Sequence, residues 1–393
     1  MIEQRDWEEK IDFKRLRKYR SEKLDRFMKE DDLDAILTMR VDHIRYVTSF
    51  RALTASHFFS SRYVAIKKRG DDPFLLVASG DYDRAKNYMP WLKGRVNPLP
   101  MNIMLAVPTF NKVLKELGLN DAKIASDDMT FQLYNRLKKE NPKLEIVDGW
   151  PTISKAKAVK NKDEQALLKA SSEIAEVGMR AAIDRVGEGV TEIEVAAEAQ
   201  KAMTEAGSEG GHLQPPLVAS GENTISLTRF PTNKRIRNGE LVLIDLGCTY
   251  NGYNSDFTRT VICGKPREEQ KKIYKTVYES LWNAIKSCKP GEKSSYIDKV
   301  SRDVIRKNGY EKYWYFGVTG HGIGISLQEP PIIGEVVAKG DVEWILEEGM
   351  TFSLEPSIHL PKVGGVRLED SVIVTEDGYE VITKTEYDEK LLS

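Results

Sequence analysis

Residues 241–261 read LVLIDLGCTYNGYNSDFTRTV: two apolar, strand-like runs around a turn bearing glycine and asparagine, each run carrying an aspartate. Asp245 and Asp256 stand where a soluble strand normally places an apolar or turn residue. Three later stretches repeat the oddity, with His321 in VTGHGIGISLQEPP (318–331), Glu355 in GMTFSLEPSIHLP (349–361) and Glu369 in GGVRLEDSVIV (364–374). Each residue alone has an ordinary reading as a turn, cap or surface charge. Together, in this order and in these glycine-rich and apolar contexts, they point to a shared site. Four carboxylates gathered in a partly buried place repel strongly unless cations share it. Two divalent ions balance four carboxylates, and a neutral imidazole adds no charge, so the expectation is a dinuclear metal centre. Oxygen-rich ligation with one imidazole suits Mn, Co, Zn or Fe and argues against copper or an iron–sulfur cluster.

Outward from this site the C-terminal half has a repeated rhythm. Helical periodicity over 162–186 and 191–206 precedes strands at 216–220, 241–247 and 253–263. Two more helices, at 267–288 and 294–308, precede strands near 315–320, 350–356 and 366–376. Helix pair then strands occurs twice, which predicts an α+β domain of two related halves with a pseudo-twofold relation. The site would lie between them. The spacing of Asp245 to Asp256, and of Glu355 to Glu369, suits antiparallel neighbours whose carboxylates face across a ladder.

The N-terminal part alternates differently. A charged helix over 11–30 leads into strand-like DAILTM (34–39), RYVAIKK (62–68) and PFLLVAS (73–79). Helical patterns around 104–117 and 129–140 come next, then EIVDGW (145–150). This predicts an α/β domain. The lysine-rich PTISKAKAVKNKDEQ (151–165) reads as the linker to the second domain. The expected division is 1–152 and 153–393.

A chain of 393 residues fits two domains. Lys plus Arg (59) nearly balances Asp plus Glu (60), so no global field favours nucleic acid or an anionic membrane. No apolar run approaches the length of a membrane span, and the charged start MIEQRDWEEK lacks a secretory apolar core. Cys248, Cys263 and Cys288 are odd in number and lack CxxC spacing, which argues against a disulfide framework. The cytoplasm is the default compartment.

The motifs DLG…GYNSDFTRT, GHGIGISLQEPP, EEGMTFSLEPSIHLP and GGVRLEDSVIVTEDG resemble the pita-bread superfamily of creatinase, prolidase, aminopeptidase P and methionine aminopeptidase. The resemblance covers roughly residues 155–385, and the first 150 residues resemble the smaller domain of creatinase, prolidase and aminopeptidase P. It implies that Asp245, Asp256, His321, Glu355 and Glu369 are the metal ligands. It also implies a homodimer whose partner's small domain borders the active site. Two family histidines are replaced. The one before the first metal aspartate falls at Thr228 or Arg229 in SGENTISLTRFPTNKR (220–235), and the one in HExP is Gln328. Thr and Gln donate hydrogen bonds but carry no positive charge at neutral pH.

Glu355 is the expected catalytic group, binding metal and shuttling the proton of a water whose pKa the ions lower. His212 and His359 are candidates to replace the missing histidines. Arg367 is expected to brace the ligands. Arg62, with Arg51, His57 and Phe59 beside it, resembles the creatinase arginine that reaches a neighbouring subunit's substrate carboxylate. The leading expectation is a metal-dependent hydrolase of a C–N bond in a Xaa-Pro dipeptide or short peptide. The alternatives are a creatinase-like hydrolase of a small non-peptide amide or amidine, and a binding protein without catalysis.

Overall fold

The computed structural model describes residues 11–51, 63–100, 102–210, 215–314, 317–336 and 342–393. Arg62, His57, Phe59 and His212 lie outside them. The chain divides into two compact units, Asp12–Lys157 and Ala158–Ser393.

In the first unit the elements are α1 (Phe13–Glu30), β1 (Ala35–Thr38), α2 (Val41–Thr48), β2 (Tyr63–Lys68), β3 (Phe74–Ala78), α3 (Tyr82–Tyr88), β4 (Val96–Leu99), α4 (Ile103–Glu116), β5 (Lys123–Ser126), α5 (Phe131–Glu140) and β6 (Glu145–Asp148). The six strands form one mixed sheet in the order β4-β3-β2-β1-β5-β6. The period-two alternation of a strand sorts its apolar residues to two faces. Val64, Ile66, Phe74 and Leu76 join the core beneath α4 and α5, while Tyr63, Ala65, Leu75 and Val77 pack with Ile44 and Phe50 on the other face. Both faces are covered, so these strands read as continuous apolar runs.

The linker reading of 151–165 is corrected. Residues Trp150–Ala158 form α6, and Lys162–Arg185 form α7. Lysine-rich composition reads as solvated, yet Thr152, Lys157 and Lys160 are each only 2 % exposed. Their polar ends are paired. Thr152 Oγ1 donates to Asp31 Oδ2 at 2.6 Å, and Lys157 Nζ lies 2.9 Å from His43 Nε2. Lys160 Nζ meets Glu329 Oε1 at 2.8 Å. A buried polar side chain is tolerated where it finds such a partner.

The second unit repeats one plan. Helices α7 and α8 (Glu192–Glu205) cover a three-stranded antiparallel sheet of β7 (Leu217–Ser220), β8 (Leu241–Leu246) and, beyond the short β9 (Thr249–Tyr250) and β10 (Tyr253–Asn254), β11 (Phe257–Ile262). Ile174, Met179, Val195, Met203, Val242 and Ile244 fill that core. Helices α9 (Glu268–Lys286) and α10 (Ser294–Lys307) cover a five-stranded sheet. It contains β12 (Val318–Gly322), β13 (Glu329–Gly334) and β14 (Thr351–Leu354), and β15 (Ser357–Leu360) and β16 (Gly364–Arg367) form a separate hairpin. The strands β17 (Asp370–Val374) and β18 (Tyr379–Val381) complete the sheet before α11 (Glu389–Leu392). Ile273, Val277, Leu281, Phe352, Leu354 and Val372 form its core. Asparagine at 161 and threonine at 191 begin α7 and α8 with reciprocal capping boxes to Glu164 and Glu194.

The expected long strands are broken where the carboxylates stand. Asp256 separates β10 from β11, Glu355 separates β14 from β15, and Glu369 lies between β16 and β17. Among the described residues, no helix is long and apolar enough to cross a membrane.

Candidate metal centre

Asp245 lies within β8, opposite Thr258 of β11 and Leu217 of β7. Asp256, two residues before Thr258, is therefore a diagonal neighbour of Asp245 and not its direct partner. The Asp256 carbonyl accepts from Ser371 Oγ at 2.7 Å and from Ser353 Oγ at 3.2 Å. These bonds hold the break in the strand to β14 and β17. Glu355 and Glu369 each stand one residue beyond the paired Leu354 and Asp370, so both leave the ladder at the same end.

His321 sits on β12 between two glycines whose space is already taken. A Cβ on residue 320 would lie 1.9 Å from the Ser353 carbonyl oxygen, and one on 322 would lie 2.4 Å from that of Glu329. Only hydrogen fits there, so β12 can press between β13 and β14 and deliver the imidazole. Gly320→Ala is expected to cost about 3 kcal/mol through overpacking and to reduce bound metal. Thermal melts and metal analysis check this, and an unchanged midpoint would refute it.

Four of the five side chains, Asp256, His321, Glu355 and Glu369, converge directly, and Asp245 joins them through Arg367. His321 Nε2 lies 3.6 Å from Asp256 Oδ2 and 3.6 Å from Glu355 Oε1. Asp256, His321 and Glu369 each offer a ligand atom within 4.8 Å of the others. His321 Nδ1 faces the Gly322 carbonyl at 3.2 Å, and a carbonyl only accepts. That contact orients the ring so that Nε2 faces two carboxylates. Glu369 Oε2 accepts from Thr258 Oγ1 at 2.7 Å, while its Oε1 is buried with no hydrogen-bond donor. Buried carboxylates and an imidazole at these separations form a set that could hold a cation.

Arg367 is the positive charge the protein itself supplies. Its guanidinium bonds Asp245 Oδ2, approaches Glu355 Oε2 at 4.0 Å, and donates to Thr258 Oγ1 at 3.3 Å. Burial works against its charge, but Asp245, Glu355 and Glu369 more than offset this and raise its pKa. Burial, with Asp256 and Asp245 adding to it against Arg367 and His321, pushes the Glu355 carboxyl up to about 7. Burial and the neighbouring Asp256 and Glu355 likewise raise Glu369.

The remaining sequence candidates are placed as follows. His359 is fully buried on β15. Its Nδ1 donates to the Thr224 carbonyl at 2.8 Å, and burial lowers its pKa to about 4, so it is neutral. Thr228, Arg229 and Gln328 are exposed. The first two come directly after Leu227, whose carbonyl accepts from Arg367 Nη1 at 3.3 Å.

Sequence reasoning missed several supports. Arg259, 1 % exposed on β11, donates to the Glu369 carbonyl at 2.8 Å and to Asp370 Oδ1 at 2.7 Å. A charged residue inside the apolar run FTRTVI was the available signal. Thr258, Ser353 and Ser371 carried none, because short hydroxyl side chains are common in exposed strands.

Residues 166–376 match metallopeptidase family M24, and residues 20–159 match the creatinase/prolidase N-terminal domain. The chain is similar to a Xaa-Pro dipeptidase of Pyrococcus furiosus, at 31 % identity over 94 % of this chain and 99 % of the relative. Its fold is similar to that of a prolidase from Pyrococcus horikoshii OT3 (TM-score 0.81, 30 % identity, 94 % of this chain and 99 % of that one). It is also similar to an X-Pro aminopeptidase of Thermotoga maritima (TM-score 0.80, 25 % identity, 94 % and 98 %).

Proposed function

The chain belongs to metallopeptidase family M24, and from that premise we propose that Asp245, Asp256, His321, Glu355 and Glu369 hold two divalent ions, manganese foremost, for hydrolysis of a Xaa-Pro bond. It has the two-domain architecture of the prolidases, with a pita-bread C-terminal domain, and is a metal-dependent hydrolase of the Xaa-Pro dipeptidase and aminopeptidase kind. The observation that carries the reading is the gathering of buried carboxylates around His321, with Nε2 3.6 Å from both Asp256 and Glu355 and a ligand atom of Glu369 within 4.8 Å. Four carboxylates against one guanidinium leave three negative charges, more than a single divalent ion balances, which supports a pair.

Divalent ions held by these five residues would supply Lewis acidity towards the scissile carbonyl and a water. Glu355 takes the proton of the attacking water and passes it to the leaving proline nitrogen. Arg367 fixes Asp245 and keeps Glu355 from rotating away. Neutral His359 holds the Thr224 backbone, and through it the segment bearing Thr228 and Arg229. Those two residues and Gln328 contact substrate as hydrogen-bond donors. Arg62 enters this reading through the family resemblance alone, and His212 through its glycine-rich stretch of sequence alone. The same resemblance supports a homodimer, and three buried free cysteines fit a reducing compartment such as the cytoplasm.

Thr228 and Gln328 in place of histidines favour a second reading, a small amide or amidine as substrate. Assays of Xaa-Pro dipeptides, Xaa-Pro-Xaa tripeptides and creatine-like compounds, with Mn or Co and after chelation, separate the two. Metal-dependent release of proline is expected. Turnover of the creatine-like compounds alone would move the assignment to the second reading.

A further inference from the structure

The segment between β7 and β8 is fastened by one carboxylate that the mechanism above does not use. Glu192, the first residue of α8, is fully buried. Its Oε1 accepts from Ser220 N at 2.7 Å, Ser220 Oγ at 2.8 Å and Asn223 Nδ2 at 2.9 Å. Its Oε2 accepts from Thr232 N at 3.0 Å and Thr232 Oγ1 at 2.6 Å. Five donors from the two ends of the same segment thus meet on one side chain. The first turn of α8 adds to the closure, because the amides of Glu192 and Ile193 donate to the carbonyls of Lys234 and Thr232 at 3.2 and 3.3 Å.

Between its clamped ends the segment is tied down twice more. The Thr224 carbonyl takes His359 Nδ1, and Thr224 Oγ1 takes the Gly365 amide at 2.6 Å. The Leu227 carbonyl takes Arg367 Nη1, on the guanidinium that also binds Asp245. The next three residues, Thr228, Arg229 and Phe230, are exposed, Phe230 by 65 %. Two residues of chain span at most about 7 Å, so Arg229 begins within a dipeptide's length of the Arg367 anchor. Among the described residues it has no carboxylate partner.

We propose that Glu192 is a positioning residue that closes the base of loop 221–231, so that Arg229 meets the C-terminal carboxylate of the substrate. The proposal rests on the Xaa-Pro reading and deepens it, because it selects dipeptides with a free carboxylate over amidated or extended peptides. Arginine suits the task through its planar fork of donors. Glu192→Gln replaces one acceptor oxygen by an NH2 group that faces donors. It therefore loosens the loop without touching the metal ligands.

The test compares a Xaa-Pro dipeptide with its C-terminal amide, using metal-loaded wild type, Arg229→Ala and Glu192→Gln. Both variants are expected to lower the acid-over-amide preference in kcat/KM at least tenfold, mainly through the KM of the acid, with full metal content. Hydrogen exchange is expected to rise in Glu192→Gln across 221–231 and to stay unchanged across 241–262. If that variant fails to fold, Asn223→Ala removes one donor and leaves the carboxylate. Equal losses on acid and amide overturn the carboxylate contact, and unchanged exchange across 221–231 overturns the clamp. Wild type inert towards both substrates sinks the Xaa-Pro reading and the carboxylate contact with it, while the exchange measurement still judges the clamp.

Discussion

Glu355→Ala is expected to lower kcat by about 10⁴-fold or more, since it removes a metal ligand and the proton shuttle together. The position is built for both tasks. Its amide is held by the Thr319 carbonyl at 2.8 Å, and Pro356 restricts the backbone of the residue before it. The carboxylate lies between His321 and Arg367, at 3.6 and 4.0 Å. In the metal-free cluster burial pushes this carboxyl up to about 7. Glu355→Gln separates the two tasks, because the amide keeps an oxygen for the ion and loses the proton relay. It is expected to retain more metal than the alanine variant and to be as slow. The metal-free alanine variant is also expected to melt higher than metal-free wild type, since one member of a repelling buried cluster is gone. Substantial turnover by either variant would remove Glu355 from the mechanism.

The candidate cluster was legible because each member violates a local rule. An aspartate in LVLIDL or a histidine between glycines conflicts with strand chemistry, and such conflicts gather at functional sites. The repeat of helix pair and sheet was legible for the opposite reason, because its apolar periodicity obeys the rules throughout. The hidden features depend on tertiary pairing. Asp256, Glu355 and Glu369 fall at strand breaks, and periodicity carries apolar runs smoothly across such breaks. The diagonal offset of Asp245 and Asp256 comes from a register that pairs Asp245 with Thr258, which loop length alone does not specify. Glu192 has the local pattern of a first-turn acid on α8. Its five donors come from residues 220–232, and no local pattern announces them. The lysines of 151–165 failed as a linker signal because the ammonium groups of Lys157 and Lys160 find partners inside the fold.

Removing the metal is expected to abolish turnover and to make stability depend on pH in a way the loaded protein does not share. In the metal-free state Glu355 has a folded pKa of about 7 against an ordinary value of 4.5. Below 4.5 it is protonated whether folded or unfolded, and burial costs nothing extra. Between 4.5 and 7 the unfolded chain ionises first, so stability falls as pH rises, by about 3 kcal/mol for a shift of this size. Glu369 is raised as well and acts in the same direction. His359 opposes them. Burial lowers it from 6.5 to about 4, so its stabilisation is present above 6.5 and is lost as pH falls through 4. Asp42 is held far down by His43, Lys157 and Arg40 in spite of burial, and its window lies below 3.8. An absolute melting curve would therefore mix opposite signs. The difference between metal-loaded and metal-free protein does not, because the ions act on the carboxylates and leave His359 common to both. Ion binding requires deprotonated ligands, so the gap in Tm at fixed free metal is expected to widen steadily from pH 4.5 to 7 and then level off. A gap that is constant or narrows across this range would mean that the buried carboxylates do not form the ion site.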